Sequence, residues 1–366
     1  MLSLAKSYFK KRKDREMRIS EEIKRKKDKI RGCLVGLAIG DALGAPVEKW
    51  SAERIKEKHG RVEGYVASKR VEPGHWTDDT AMSLAVARGI VVANSKWQDV
   101  LPMIANEHLV DWRNNRNSGY GRTTKKALTA LDNGVSFFES GNNLGMGNGV
   151  AMRIAPFALW LSESAYRNYH LSQFLRNPEI ISFLRAFGRI THTNPYSLIT
   201  GMLQAEIVAQ CFGCWHYVKT DFTSSVGRYL FAEGILEQAR DFERFYCDVL
   251  FERKLSSKIM AGLDFKKQLI KSDDVLLEEV GVGFSAIESC PFAWLTALNH
   301  AESFRDGVLA AVNAGGDADT TASMVGAILG SLYGLEEIQK TGWCEGLWQY
   351  DEIVALADSL SVVLVQ

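Results

Sequence analysis

The stretch Gly32-Cys33-Leu34-Val35-Gly36-Leu37-Ala38-Ile39-Gly40-Asp41-Ala42-Leu43-Gly44 decides the fold. Its glycines recur every four residues, so in a helix they share one face. Glycine costs a helix about 1 kcal/mol per position relative to alanine. A stripe of four therefore implies a second helix packed close against that face. Runs of the same period follow at 80–93, 197–212, 291–312 and 320–333, each suited to a buried helix. Alternating strand-like runs are scarce, and 61–71 is the candidate for a short hairpin. Residues 215–280 read as a charged, poorly patterned insertion. No linker rich in Pro, Gly or Ser divides the chain, so the expectation is all-α: one compact domain over 32–366, preceded by an extension at 1–31.

The charge is unevenly spread. Over all 366 residues, 44 Lys and Arg balance 44 Asp and Glu. Residues 1–32 alone hold thirteen basic and five acidic residues, a balance of +8, which leaves −8 on 33–366. The 46% hydrophobic and 24% charged composition excludes a disordered or collagen-like chain. The basic segment lacks the apolar stretch of a secretory signal and contains too many acids for a mitochondrial presequence. No uncharged apolar run reaches the roughly 18 residues of a membrane-spanning helix, so no membrane partner is expected. A nucleic-acid partner is not expected either, because the acidic body would repel a duplex. Six cysteines in a chain this long form no disulfide framework. The lone Cys211-x-x-Cys214 lacks the second pair or histidines of a zinc site, so buried thiols in a reducing cytoplasm are the expectation.

Two segments concentrate oxygen ligands at helix starts: Gly74-His75-Trp76-Thr77-Asp78-Asp79-Thr80 and Gly315-Gly316-Asp317-Ala318-Asp319-Thr320-Thr321. Capping explains one or two such side chains in a first turn. Several carboxylates in one turn repel each other unless a cation lies among them. Hard oxygen donors without cysteine suit Mg²⁺ or Mn²⁺ better than zinc, and Asp-x-Asp can reach two ions. A third segment, Gly141 to Arg153, has four glycines in nine residues, and reads equally as a plain loop or as an anion cradle. In the fourth, Gly40 to Glu48, Asp41 lies in an apolar helix and needs a polar partner. Glu48 follows a break at Pro46 and reads either as solvated or as pointing into a cleft.

Together GDALGAPVE, WTDDTAM, GNGVAMRIAPFAL, THTNP and NAGGDADTTASMVGAILGSLYG resemble the ADP-ribosylglycohydrolase family, the relatives of the dinitrogenase reductase-activating glycohydrolase, from about Arg31 to Leu335. The resemblance implies a compact all-α fold and a hydrolase that removes ADP-ribose from protein side chains with two divalent ions. One ion would be held by Thr77, Asp78, Asp79 and Asp319, the other by Asp317, Asp319 and Thr320. Glu48 matches the glutamate beside the ribose; with Asp78 and Asp317 it forms the catalytic set. Gly145, Met146, Gly147, Asn148 and Gly149 match the diphosphate loop, and Gly119, Tyr120 and Gly121 a ribose-side loop. His192 falls where the family contacts ligand, a core histidine being the alternative. Bacterial arginine-specific members carry an aspartate where this chain has Gly119, which leaves Glu48, Asp111 or a metal-bound water as acid/base candidates. The basic extension resembles that of immunity proteins that block secreted ADP-ribosyltransferase toxins while the body reverses the modification. A toxin bound through 1–31 and an ADP-ribosylated protein substrate, with arginine as the linked residue, are the implied partners. The competing expectation is a non-catalytic inhibitor whose arm occludes the toxin, and a solvated arm without a partner is a third reading.

Overall fold

The computed structural model describes residues 2–114, 119–166, 171–213, 222, 224–247 and 254–365. Its helices run in the order α1 (Leu2–Gly44), α2 (Ala52–His59), α3 (Asp78–Val92), α4 (Trp97–Asn114), α5 (Arg122–Asp132), α6 (Ala155–Tyr166), α7 (Pro178–Arg189), α8 (Pro195–Gly213), α9 (Ser225–Tyr246), α10 (Lys254–Ala261), α11 (Ala286–Asn299), α12 (Phe304–Ala314), α13 (Ala318–Tyr333) and α14 (Tyr350–Leu364), with shorter turns between them. Among the described residues the strands are β1 (Leu263–Asp264) and β2 (Leu269–Ile270), an antiparallel pair. The all-α expectation holds.

The glycine stripe meets its partner on α13. A Cβ built on Gly32 would lie 2.5 Å from the Gly330 carbonyl oxygen, on Gly36 2.4 Å from that of Gly326, on Gly40 2.1 Å from that of Ala322, and on Gly44 2.3 Å from that of Ala318. Each four-residue step forward on α1 is a four-residue step back on α13, so the two helices are antiparallel and backbone touches backbone along four turns. Glycine on α13 answers in kind: a Cβ on Gly326 or Gly330 would lie 2.1 Å from the carbonyl oxygen of Gly36 or Gly32. The lost helix propensity is offset by dense packing and Cα–H···O contacts. This register sets the C-terminal end of α1, with Asp41, beside the N-terminal end of α13, with Asp319.

α1 is continuous across positions 31 and 32. Its first anchors to the body lie in the basic segment. Lys26 pairs with Glu163 at 2.8 Å. The buried Lys29 ammonium donates to the Cys211 and Phe212 carbonyls at 2.8 and 3.1 Å, where the last carbonyls of α8 lack helical partners. Arg31 forks onto Asp358 at 2.6 and 2.9 Å. An apolar window inside Arg15–Val47 has a mean hydropathy of 1.4, long and apolar enough to cross a membrane, and 94% of it is buried in the fold.

Three expectations change. The run 291–312 is two helices, broken after Asn299, and Ser303 accepts the Asp306 N–H to start the second. Residues 61–71 form no ladder; Asn313 donates to the Val62 carbonyl and accepts its N–H, the Trp343 ring N–H donates to the Glu63 carbonyl, and the Tyr65 hydroxyl donates to the Trp343 carbonyl. The hairpin lies instead at β1–β2. The insertion is patterned after all: α9 buries Tyr229, Ala232, Ile235, Leu236, Ala239 and Phe242 at helical spacing, a stripe hidden in the sequence by the charges between them. Cys211 is buried, and Cys214 lies outside the described residues.

Gly40→Ala should cost about 1–3 kcal/mol or more in denaturant unfolding, since the methyl would enter the Ala322 carbonyl. Gly64→Ala, with open space around its Cβ position, should change stability by no more than about 0.5 kcal/mol. Equal effects at the two sites would contradict the packing account.

Candidate metal and ADP-ribose site

Three chain segments converge at the α1–α13 end. Asp41 is fully buried in α1 and gathers the start of α3. Its carboxylate accepts the Thr77 N–H at 2.9 and 3.0 Å, the Thr77 hydroxyl at 2.8 Å, the Thr80 N–H at 3.0 Å and the Thr80 hydroxyl at 2.6 Å. The polar partner that an aspartate in an apolar helix requires is thus the first turn of α3. The third segment precedes α13. Gly315 and Gly316 have φ of +73° and +65°, and a Cβ on either would lie 2.3 Å from the Trp50 or 2.2 Å from the Val282 carbonyl oxygen. Lys49 N–H donates to Gly316 O, and Gly316 N–H to Trp50 O, both at 2.7 Å. Only glycine supplies that turn and that approach. It fixes Asp317 and Asp319 opposite Asp41 and Glu48.

The result is two acidic triads with one shared member. Carboxylate oxygens of Asp41, Asp79 and Asp319 lie within 4.8 Å of one another, and so do those of Glu48, Asp317 and Asp319. Asp79 and Asp319 are almost completely buried, and Oδ1 of Asp79 has no hydrogen-bond donor. Burial first, and then the neighbouring carboxylates, pushes both groups well above the usual carboxylate range. Burial likewise raises Asp78 to about 7, reinforced by the charge of Asp41. Asp317 also rises to about 7 through burial, moderated by the Asn148 side-chain N–H at 2.5 Å. The N-terminal ends of α3 and α13 both point positive dipole at this cluster, yet four strained carboxylates and an orphaned oxygen remain. Hard oxygen donors in this arrangement fit a divalent cation. Thr77 and Thr320 lie in the same two first turns. Asp78 stands to one side: a Cβ on Gly119 would be 2.9 Å from its Oδ1.

Glu48 ends the turn after α1 with its side chain only 11% exposed, paired with Lys49 at 3.0 Å and Arg70 at 2.5 Å. It lies beside Asp317 and Asp319 and is not a solvated surface acid. Arg70 comes from the irregular 61–71 segment. The glycine loop borders the same acidic centre through Asn148. Gly141 touches the Arg189 carbonyl, the Met146 carbonyl accepts the Ala286 N–H at 2.7 Å, and the Gly147 carbonyl accepts the Ser197 hydroxyl at 2.7 Å. A Cβ on Gly149 would lie 2.7 Å from Cε1 of His192. Asn148 bridges the loop to Ser289 and Asp317. Gly145 has open space around its Cβ position.

His192 is buried behind this loop. Arg153, itself fully buried, donates to the Gly149 carbonyl and to Thr191 Oγ1 at 2.7 Å, and Thr191 Oγ1 is 2.7 Å from His192 Nδ1. Burial and the nearby guanidinium push His192 down to about 3, so the ring is neutral. The Thr191 hydroxyl thus joins the Arg153 guanidinium to His192 Nδ1, while Nε2 lies on the side of Gly147 and Gly149. On the other side, buried Tyr120 donates to Asp111 Oδ2 at 2.6 Å, and Gly121 opens α5. Asp41, Arg70 and Arg153 are the members that motif reading did not assign to the site. Only Asp41 left a sequence signal, a charge in an apolar stripe.

Fold and site define an all-helical enzyme body whose acidic centre suits a divalent cation, flanked by a glycine loop. Residues 22–365 match the ADP-ribosylglycohydrolase family model, and the chain belongs to that family, hydrolases of ADP-ribose glycosidic bonds. It is 30% identical to the ADP-ribosylarginine hydrolase Tri1 of Serratia proteamaculans over 342 residues, covering 91% of this chain and 79% of that one. It is 26% identical to the ADP-ribosylhydrolase ARH3 of Mus musculus over 358 residues, 91% and 90% of the two chains. A solved structure described as an ADP-ribosylglycohydrolase-related protein complex superposes with a TM-score of 0.65 at 26% identity, covering 93% of this chain and 99% of that one.

The raised carboxyl groups stabilise the cation-free protein below the unfolded value of 3.8, and that contribution is lost as pH rises through about 7, where Asp78 and Asp317 ionise. A divalent cation competes with those protons. The rise in Tm produced by saturating Mg²⁺ over EDTA should therefore grow from about pH 5 to about pH 7.5. A Tm indifferent to the cation at the upper pH would contradict the site.

Proposed function

We propose that this chain removes ADP-ribose from a modified protein side chain, with arginine the linked residue and two divalent cations, Mg²⁺ or Mn²⁺, in the acidic centre. The observation that carries this reading is Asp319, which belongs to both triads and so sits where one carboxylate can bridge two ions. Thr77, Asp78, Asp79 and Asp319 would hold one ion, and Asp317, Asp319 and Thr320 the other, with Asp41 orienting Thr77 from behind. The ions would supply Lewis acidity and a template for sugar hydroxyls. The arginine linkage follows the Serratia relative, whose name specifies it.

The chain's own groups divide the remaining work. The loop Gly145–Gly149 would bind the diphosphate, its shape held by Ser197, Arg153 and the ring of His192. Glu48, kept in place by Arg70 and Lys49, is the group best placed to take a proton from the attacking water. Asn148 fixes the rotamer of Asp317. Gly119 offers no side chain, so an acid at that position plays no part here. Asp111 is already bound by Tyr120 and lies 3.9 Å from Arg88, which favours a positioning role for it. The basic helix preceding Lys26 would reach an acidic face of an ADP-ribosyltransferase toxin, in the manner of an immunity protein.

Asp317→Ala or Asp79→Asn should lower kcat for release of free ADP-ribose from ADP-ribosyl-arginine by about 10³-fold or more, and Glu48→Gln by about 10²–10⁴-fold, with circular dichroism unchanged. ADP-ribosyl-serine and -cysteine substrates run beside it should be poorer. Full activity of Asp317→Ala at saturating Mg²⁺ would overturn the metal assignment, and faster release from serine would overturn the linkage. Removing residues 1–20, which spares the anchors from Lys26 onward, should leave hydrolysis intact and abolish inhibition of a purified transferase. Undiminished inhibition would refute the arm's role.

A further inference from the structure

We propose that the groove between α7, α8 and the C-terminal end of α9 is a second binding site, separate from the acidic centre, for a phosphorylated small molecule of nucleotide size. Its outer part is a cavity of about 430 Å³, within the roughly 300–1,000 Å³ typical of small-molecule sites. A narrower recess continues past Arg185, Arg189 and Tyr246 to Thr193, Leu198 and Met202. Among the described residues, no Asp or Glu lines either part.

The cationic lining is the first argument. Arg185 and Arg189 stand one helical turn apart on α7, in a body that carries 39 acidic against 31 basic residues beyond position 32. Like charges at that spacing repel. Neither guanidinium forms an ion pair among the described residues, and both border this one cavity. The Arg185 guanidinium carbon lies 4.2 Å from the centre of the Tyr246 ring, a cation–π contact that is not an ion pair. A guanidinium fork can match two phosphate oxygens at once. Ser182 and Thr193 add hydroxyl donors.

The apolar lining is the second argument. Ile181 on the outer side, and Leu198, Met202 and the Tyr246 ring within, form a wall that a phosphate or carboxylate ion alone would leave unused. The outer cavity has room for a flat base or similar apolar body attached to a phosphate, and the recess, of about 70 Å³, admits only an edge of it. The groove shares no lining residue with the triads or the glycine loop. It comes nearest to them where Gly141 meets the Arg189 carbonyl and where the Thr193 N–H pairs with the Asn142 carbonyl at 3.0 Å.

The test is calorimetric titration of the full chain with AMP, in parallel with inorganic phosphate, for the wild type, Arg185→Glu/Arg189→Glu and Tyr246→Ala. The wild type should bind AMP saturably and more tightly than phosphate. Charge reversal should weaken AMP at least about tenfold while ADP-ribose release stays within about twofold of wild type. Tyr246→Ala should weaken AMP more than it weakens phosphate. AMP affinity unaltered by charge reversal would overturn the site. Phosphate binding as tightly as AMP would overturn the ligand class. Loss of hydrolysis alongside AMP binding, in a variant that still melts cooperatively, would place the groove in the catalytic cleft and overturn its separateness. Should the double variant not fold, Arg189→Gln is read by the same criteria.

Discussion

Backbone-to-backbone contact between α1 and α13 is the constraint on which the rest depends. Four glycines on α1 meet Ala318, Ala322, Gly326 and Gly330 with no room for a single added carbon. Such an interface permits one register only, because sliding by a residue would drive side chains into the opposing carbonyls. The register matters because each helix carries its chemistry at one end: Asp41 and Glu48 where α1 stops, Asp317 and Asp319 where α13 begins. Close packing is thereby converted into the placement of charge.

What the packing assembles is electrostatically costly. Burial raises Asp78, Asp79, Asp317 and Asp319 far from ordinary carboxylate behaviour, and two helix dipoles and a handful of hydrogen bonds only partly compensate. A protein that tolerates such a cluster spends folding stability to keep it. The same strain becomes affinity for a dication. Behind this centre, neutral buried groups do the positioning. His192 and Thr191 transmit the fixed geometry of Arg153 to the glycine loop, and Asn148 joins that loop to Asp317.

Much of this was legible in the sequence, for identifiable reasons. The four-residue glycine period implied a touching helix before any partner was known, and α13 supplies it. The glycine pair before Asp317 and the Thr-Asp-Asp-Thr turn announced themselves as helix starts with more acid than capping uses; they contribute Asp317, Asp319 and Asp79 to the triads, while Asp78 stands to one side. Asp41 was legible as a charge needing a partner, though not as the anchor of α3. Arg70 was not legible, because its segment is irregular and finds backbone partners in Asn313 and Trp343, residues distant in sequence. The face of α9 was masked by intervening charges, and the break after Asn299 by an apolar run that carries on through it. The boundary between arm and body is not written in α1 at all: one helix spans both, and the anchors from Lys26 onward depend on acids and carbonyls of α6, α8 and α14.

The central claim is that the register of α1 against α13 creates a divalent-cation site centred on Asp319. The most direct measurement is electron paramagnetic resonance of Mn²⁺ titrated into the chain at neutral pH, for the wild type and Asp319→Asn. The account predicts that the wild type removes the free-ion signal stoichiometrically and that Asp319→Asn, still folded, does not. Equal uptake by the two proteins, or none by the wild type, would contradict it.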